Sequence, residues 1–230
     1  MTQNNWDEDT LLSADGQIYI GSTGTDPVAS TIDAGCGFTV TNGPNTITID
    51  TISSNTEYVK ISSSTASSSS SIDFTGLSST YFLYVIECVN FAPATDATIL
   101  QMRTSTDNGT SYDSSAGNYT YNGYGVDNSD ALRTDGTTSA TQMQVLGRSS
   151  DGLGNASNET HSCRIWLFNP SSTSYTKIIT KGTFVQSNGD CWFHMTGGQR
   201  TSTTAVNAIR LFMSSGNIAS GTFTLYGVKA

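Results

Sequence analysis

Two histidines and two cysteines are the residues of this chain whose types first suggest chemistry. His161 and Cys163 are two positions apart, and Cys191 and His194 are three positions apart. Imidazole and thiolate groups are ligands that zinc accepts. On strands, however, residues two apart share a face and residues three apart do not, so all four would converge only through a bend or a bulge. The spacing favours core thiols and structural histidines, and we expect no metal and no cofactor.

Carboxylates are the second group to consider, because glycoside hydrolysis needs a pair of them in a cleft. After the acidic start only three glutamates occur, at Glu57, Glu87 and Glu159, and most aspartates stand beside Gly or Asn. Asp in that setting is typical of turns. The chain also contains neither a Gly-x-Ser-x-Gly elbow nor a phosphate-binding loop. These patterns predict a protein that is not an enzyme.

Four tyrosines in a polar stretch are the main surface candidates, at Tyr112, Tyr119, Tyr121 and Tyr124. Tyrosine set among Ser, Gly and Asn is the adaptable contact chemistry of binding loops, and its ring offers a flat face to a ligand. The alternative is a Tyr-rich strand, because Tyr119 and Tyr121 are two apart and would share one buried face. The sequence leaves both interpretations open.

The composition is that of strands and turns. Ser and Thr are abundant, 22 of the 230 residues are Gly, and only 13% are charged. Ten Lys and Arg against 19 Asp and Glu give a formal charge of -9, which disfavours nucleic acid as a partner. No apolar run approaches the roughly 18 residues of a membrane helix, so we expect no membrane insertion. The polar, acidic start predicts no secretion signal.

The elements that must position these residues are strands. Alternation of apolar and polar residues, with Gly, Asn and Pro between the runs, predicts an all-β fold. The economical architecture is an antiparallel β-sandwich of jelly-roll type, preceded by a small extended hairpin module. Strands of the sandwich are predicted at residues 81–91, 98–102, 141–146, 162–168, 175–185, 191–195, 208–213 and 221–228.

A serine run at residues 62–71 divides the chain into an attachment module, 1–62, and a surface domain, 63–230. The run lacks core-forming side chains, which is typical of a linker or an exposed edge. The short strands before it bury too little apolar surface to stand alone, so they need a partner surface. The apolar side chains expected to make that attachment are Ile18, Ile20, Phe38, Val40, Ile47 and Ile49.

Residues 10–49 resemble a module that recurs in virion proteins of tailed bacteriophages. The resemblance lies in the Gly-Gln-Ile-Tyr-Ile-Gly turn at 16–21, the Pro-Val-Ala-Ser-Thr link at 27–31 and the Gly-Phe-Thr-Val-Thr-Asn-Gly hairpin at 37–43. Three later segments look similar to jelly rolls on phage surfaces: Ile72–Leu77, Leu167–Ser172 and Met213–Ile218.

The resemblance implies a homotrimeric structural protein on the exterior of the virion. The N-terminal module would anchor it to the major capsid protein or to other virion proteins, and the jelly roll would be displayed as capsid decoration or a short appendage. The resemblance supplies no catalytic motif. The alternative is a tail-fibre or receptor-binding protein whose sandwich binds host-surface carbohydrate through the tyrosine stretch.

Overall fold

The structure is a computed structural model, and it divides the chain into two compact units, Met1–Thr56 and Glu57–Ala230. This boundary precedes the one expected after residue 62, which falls inside a strand. The described part of the chain contains no helix able to cross a membrane. The described residues are 17–22, 25–31, 38–43, 46–51 and 58–229.

The N-terminal unit contains two antiparallel hairpins. Strand β1 (Gln17–Ser22) pairs with β2 (Thr25–Thr31), and β3 (Phe38–Gly43) pairs with β4 (Thr46–Thr51). In the described part of the chain, each hairpin is a separate two-stranded sheet. An isolated two-stranded hairpin is marginally stable at best in water.

The C-terminal unit is all-β, as the sequence predicts, and consists of two antiparallel sheets packed as a sandwich. One sheet has eight strands and the other has four. The strands are β5 (Val59–Ser69), β6 (Ile72–Thr75), β7 (Leu83–Pro93), β8 (Leu100–Ser105), β9 (Tyr119–Asp127), β10 (Leu132–Ala140), β11 (Met143–Leu146), β12 (His161–Phe168), β13 (Lys177–Val185), β14 (Cys191–Arg200), β15 (Ala208–Met213) and β16 (Ile218–Val228).

Eight of these strands have the pairing of a jelly roll. Strand β5 pairs with β16, β6 with β15, β7 with β12 and β8 with β11. The first of the eight strands therefore pairs with the last, the second with the second-to-last, the third with the sixth and the fourth with the fifth. This is the pairing of one long hairpin that is rolled into two sheets. We call these eight strands the roll.

The other four strands are two hairpins inserted into connections of the roll. Strands β9 and β10 are inserted between β8 and β11, and β13 and β14 between β12 and β15. They continue the larger sheet beyond β12, in the order β12-β13-β14-β9-β10. We call these four strands the extension. The extension explains why one sheet has twice as many strands as the other.

The core lies between the sheets and follows from alternation along each strand. On β12, Cys163, Ile165 and Leu167 are buried and their neighbours are more exposed, which confirms the shared face expected from the sequence. They belong to the same apolar cluster as Ile209 and Leu211 of β15 in the smaller sheet. Burial of apolar surface is worth about 25 cal/mol per Å², and this cluster is what holds the two sheets together.

The serine run forms most of β5, at one edge of the larger sheet. Of the two readings open from the sequence, linker and exposed edge, the structure shows the edge strand. Most of its side chains are exposed, and Ala66 is its one buried residue. Ser63 bonds across to Thr224 of β16, with 3.0 Å between the hydroxyl oxygens.

Candidate functional site

A shallow groove crosses the outer face of the extension. The strand register places Gly136 of β10, Asn122 of β9, Gly197 of β14 and Ile179 of β13 side by side in one row. A hollow of about 690 Å³ lies over this row. A second hollow, of about 550 Å³, is lined by the same four residues. The two hollows are therefore continuous, and we call them together the groove.

Gly197 is the residue that opens the groove. Its backbone is not in the positive-φ region that favours glycine. A Cβ atom added to it would meet only the Asn122 Oδ1 atom, at 3.9 Å. Glycine inside a strand is less stable than alanine, so neither conformation nor packing explains its presence. Such glycines often mark positions where a ligand or another backbone approaches closely.

Other glycines of the extension do have packing reasons. An added Cβ would lie 2.6 Å from the Met195 carbonyl oxygen at Gly123, and 2.5 Å from the Cys163 Cβ at Gly182. Both distances are shorter than real contacts allow. Gly197 differs from them in having open space on its outer side.

Exposed aromatic side chains lie toward the two ends of the groove. The ring of Tyr124 on β9 is 42% exposed, and its hydroxyl group donates to the Met195 sulfur at 3.4 Å. The ring of Phe168 on β12 is 38% exposed. Three strand spacings separate β9 from β12, which is about 14 Å at ~4.8 Å per spacing. The groove is therefore long enough to hold a short chain-like ligand.

Polar side chains line the groove between these rings. They are Thr120, Asn122, Lys177 and Gln199. Within the described part of the chain, none of the four side chains forms a hydrogen bond to the protein. Their hydroxyl, amide and ammonium groups are therefore available to a ligand that offers both donors and acceptors.

The charge of this face is opposite to the charge of the chain. Lys177 and Lys181 on β13 point outwards, and among the described residues neither is in an ion pair. Arg164 on β12 is paired with Glu87. Lys181 also lies over the Phe193 ring, 5.5 Å from its centroid. The outer face is therefore locally positive in a chain with a formal charge of -9.

Polar side chains are also buried on the inner side of the extension. Within the described residues, the two ring nitrogens of His194, the Thr196 hydroxyl, the Asp135 Oδ1 and the Arg148 Nε have no hydrogen-bond partner. Burial is the main cause that lowers the pKa of His194 to about 4, with Asp135 raising it and Arg148 lowering it further. His194 is therefore neutral at pH 7.

The structure does not bring the sequence's zinc candidates together. His161 and Cys163 lie on β12 and Cys191 and His194 on β14, with β13 between the two strands. Cys163 and His194 are buried, whereas Cys191 is exposed. Among the described residues, no group of three or more His, Cys, Asp or Glu side chains could hold a metal ion.

The four tyrosines do not share one surface. Tyr119 is fully buried, and its hydroxyl accepts from the Thr104 N–H at 2.9 Å and donates to the Asp113 carbonyl at 3.1 Å. Tyr121 is two positions further on the same strand and packs against the core. This arrangement is the buried strand face that the sequence left open as the alternative to a binding loop.

Tyr112 and Tyr124 are also apart from each other. The ring of Tyr112 lies under the Arg210 guanidinium, 4.1 Å away, and burial raises the pKa of its hydroxyl to about 12. Of the four, only Tyr124 places an exposed ring beside the groove.

The attachment residues lie on three strands of the N-terminal unit: Ile18 and Ile20 on β1, Phe38 and Val40 on β3, and Ile47 and Ile49 on β4. Val40 and Ile49 are cross-strand partners. Val40 is half-buried and Ile49 is 55% exposed. The side chains of the other four lie outside the described part of the structure.

The carboxylates singled out in the sequence have structural partners where they are described. Glu87 binds Arg164, and the Glu159 carboxylate accepts from the Ala156 N–H at 2.8 Å. Asp107 is bonded by Ser111 and Ser105 in a turn, and these bonds lower its pKa to about 2. Glu57 lies outside the described residues.

Comparisons with known proteins found no relative of this chain. No protein-family model, no curated protein and no solved structure matches it. The function is therefore argued from the geometry and chemistry of the chain's own residues.

Sequence reasoning did not single out Gly197, Asn122, Gln199, Lys177 or Phe168. One signal was present, because Gly197 and Gly198 interrupt the apolar and aromatic run that begins at Cys191. A glycine inside a strand pattern suggests a bulge or a close approach of another group. The other four became recognisable only when the register placed them around that glycine.

Proposed function

We propose that this chain is a structural protein displayed on the exterior of a tailed-phage particle, as capsid decoration or a short appendage. Its partners are the major capsid protein or other virion proteins, and it works as a homotrimer without enzymatic activity. The observation that carries the proposal is the division of the chain into a small unit of separate hairpins and a complete jelly roll.

The N-terminal unit has the properties of an attachment module. Its described strands form two-stranded sheets, which need a partner surface for stability. Ile49 exposes an apolar side chain on β4. Free strand edges and exposed apolar side chains are what attachment by strand addition requires. This supports anchoring of the chain through the segment that resembles virion proteins.

The C-terminal unit has the properties of a displayed domain. All eight strands of the roll belong to Glu57–Ala230, and so does the apolar cluster between the sheets. A domain with its own complete core remains folded when its neighbour is removed. Such a domain can be carried on a particle by a separate anchor.

The test is to produce particles with variants of the chain and to measure its abundance per particle by mass spectrometry. Deletion of residues 1–56 should abolish incorporation and leave the unfolding temperature of the jelly roll unchanged. Ile49→Asp should reduce incorporation, whereas Leu132→Asp, at a side chain that is 65% exposed on β10 of the C-terminal unit, should not. Wild-type incorporation of the deletion variant would contradict the proposed anchor.

The number of copies per particle distinguishes capsid decoration from a short appendage. A ratio to the major capsid protein near one indicates decoration across the capsid lattice, and a small fraction indicates an appendage. Absence from purified particles would refute a virion role. Mass photometry of the purified chain tests the homotrimer directly.

A second candidate function is host recognition by the same jelly roll. The specific observation in its favour is the groove, with available polar groups between two exposed aromatic rings. Under this function the groove contacts carbohydrate on the host surface. A chain with a filled groove would then be incorporated into particles normally, and those particles would adsorb poorly to cells.

A further inference from the structure

We propose that the groove binds an acidic oligosaccharide, in which sugar units carry carboxylate groups, lying across β9, β14 and β13. The inference rests on the second proposed function, host recognition through the groove. It names the ligand class, and it assigns Gly197 as the residue that admits the ligand and Lys177 as the main charged contact.

Gly197 leaves open space in the middle of the groove. The position has ordinary strand conformation and open space where a side chain would be, so the glycine is retained at a cost in stability. A flat sugar ring gains close contact with the sheet only where no side chain stands in its way. That space lies over Gly197, between the Asn122 side chain on one neighbouring strand and Ile179 on the other.

The groups around this space match a sugar chain better than a peptide. Asn122, Gln199 and Thr120 offer donors and acceptors for hydroxyl groups, and the rings of Tyr124 and Phe168 offer apolar faces toward either end. A peptide strand would need an unpaired strand edge for main-chain bonding. Strands β9, β14 and β13 are each paired on both sides, so they offer none.

The positive charge at the groove favours acidic over neutral sugar chains. Lys177 lines the groove, and Lys181 lies outside it on the same face of β13, four positions further along the strand. Both ammonium groups lack an ion-pair partner among the described residues, and the chain as a whole carries nine negative charges in excess. A neutral oligosaccharide would leave the Lys177 ammonium group unused, whereas a carboxylate on the sugar unit over β13 would bind it. Lys181, about 13 Å further along the strand, adds to the positive potential that draws an acidic ligand to this face.

The experiment is isothermal titration calorimetry on the full chain with two probes of equal length. One is a hexasaccharide of uronic acid units and the other is a hexasaccharide of glucose. We expect the acidic probe to bind about tenfold more tightly, and its affinity to fall as salt rises. Equal affinity for both probes, or no binding of the acidic probe, would overturn the inference.

Variants of the groove residues test whether the acidic probe binds in the groove. Gly197→Val places a branched side chain in the groove at a position where an added Cβ meets only the Asn122 Oδ1 atom, at 3.9 Å. It should weaken binding of the acidic probe about tenfold or more, with Gly197→Ala intermediate. Lys177→Gln should reduce the preference for the acidic probe and the salt dependence. Thr65→Val, on exposed β5 of the same sheet, is the control and should bind normally. Unchanged binding by Gly197→Val would place the ligand elsewhere and overturn the assignment.

Failure of the ligand class and failure of the host-recognition function give different results. If Gly197→Val particles adsorb poorly but the acidic probe does not bind, the ligand class is wrong and the function stands. If the probe binds at the groove but Gly197→Val particles adsorb normally, the groove is a sugar site without a role in adsorption.

Discussion

The roll packs between the two sheets almost entirely through apolar side chains, whereas the extension packs against the smaller sheet through both apolar side chains and polar bonds. In the roll, apolar side chains of β7, β12 and β16 face those of β8 and β15, with Phe223 and Leu211 as fully or almost fully buried examples. In the extension, polar bonds cross the space between the sheets. The Thr180 hydroxyl donates to the Val145 carbonyl at 2.7 Å, and the Tyr119 hydroxyl accepts from the Thr104 N–H.

This difference assigns stability mainly to the roll and binding to the extension. The roll supplies most of the continuous apolar cluster, to which the extension adds Tyr119, Ala140, Ile178, Phe184 and Trp192. The extension rests on an interior that includes buried polar groups without partners, which destabilise a fold by about 1–3 kcal/mol each. Inserted hairpins of this kind need not be optimised for stability, because the roll stabilises the domain. Their outer face can carry a groove.

The largest expected effect is a truncation in the roll. Phe223 is fully buried and packs against Phe91, with 5.7 Å between the ring centroids. Phe223→Ala should lower the free energy of unfolding by about 3–5 kcal/mol, measured by chemical denaturation. Leu132→Ala, at an exposed position of the extension, should change it by less than about 0.5 kcal/mol. A small loss for Phe223→Ala would show that the roll does not dominate stability.

The two buried histidines differ in their hydrogen bonding, because His161 on the roll has partners and His194 on the extension has none among the described residues. His161 on the roll accepts from the Val185 N–H at Nδ1 and bonds the Gly154 carbonyl through Nε2, at 3.2 and 2.9 Å. His161→Leu leaves both backbone groups unpaired and should cost about 2–4 kcal/mol at pH 7. His194→Leu removes two ring nitrogens that lack partners and should be neutral or stabilising. The reverse order of stabilities would contradict the contrast.

The pH dependence of stability tests the same residue without changing its shape. The folded pKa of His194, about 4, is below its usual value of 6.5, so the unfolded chain binds more protons between these values. Stability is therefore complete above pH 6.5 and is lost as the pH falls to 4, by up to about 3 kcal/mol. Burial also lowers the pKa of His161, which adds to the loss.

The variant His194→Leu isolates the contribution of His194. Its stability should fall less steeply between pH 6.5 and 4 than that of the wild type, when both are measured by urea denaturation. Parallel curves for the two proteins would show that His194 is not titrated by unfolding. The acids Asp107 and Asp127, whose pKa values are lowered, affect stability mainly below this range.

Sequence patterns predict the roll much better than the extension. Apolar alternation in residues 162–168 and 208–213 predicts β12 and β15 within a residue, because one face of each strand is buried in the core. Strands β9 and β10 carry few apolar residues and were not predicted as a hairpin. Their inner positions include Gly123 and Asp135, so the period-two signal is absent where the interior is polar.

Pairing partners are the part of the fold that sequence spacing does not show. The serine run is typical of linkers, yet it forms β5 because β16 supplies the backbone hydrogen bonds. The groove likewise depends on strand pairing that the sequence does not show. Asn122, Gly197 and Ile179 are far apart along the chain, and they become neighbours only through the register of three strands. A glycine inside a strand was the one local sign of the site.

The smallest expected effect is the most specific to the groove. Gly197→Ala should stabilise the chain by about 0.5–1 kcal/mol, because alanine loses less backbone entropy and its methyl group meets open space. Gly182→Ala, on the neighbouring strand, should destabilise it, because its Cβ would lie 2.5 Å from that of Cys163. Thermal unfolding measures both changes. A variant that is more stable yet binds less tightly would show that glycine at 197 serves the ligand rather than the fold, and a destabilised Gly197→Ala would remove that argument.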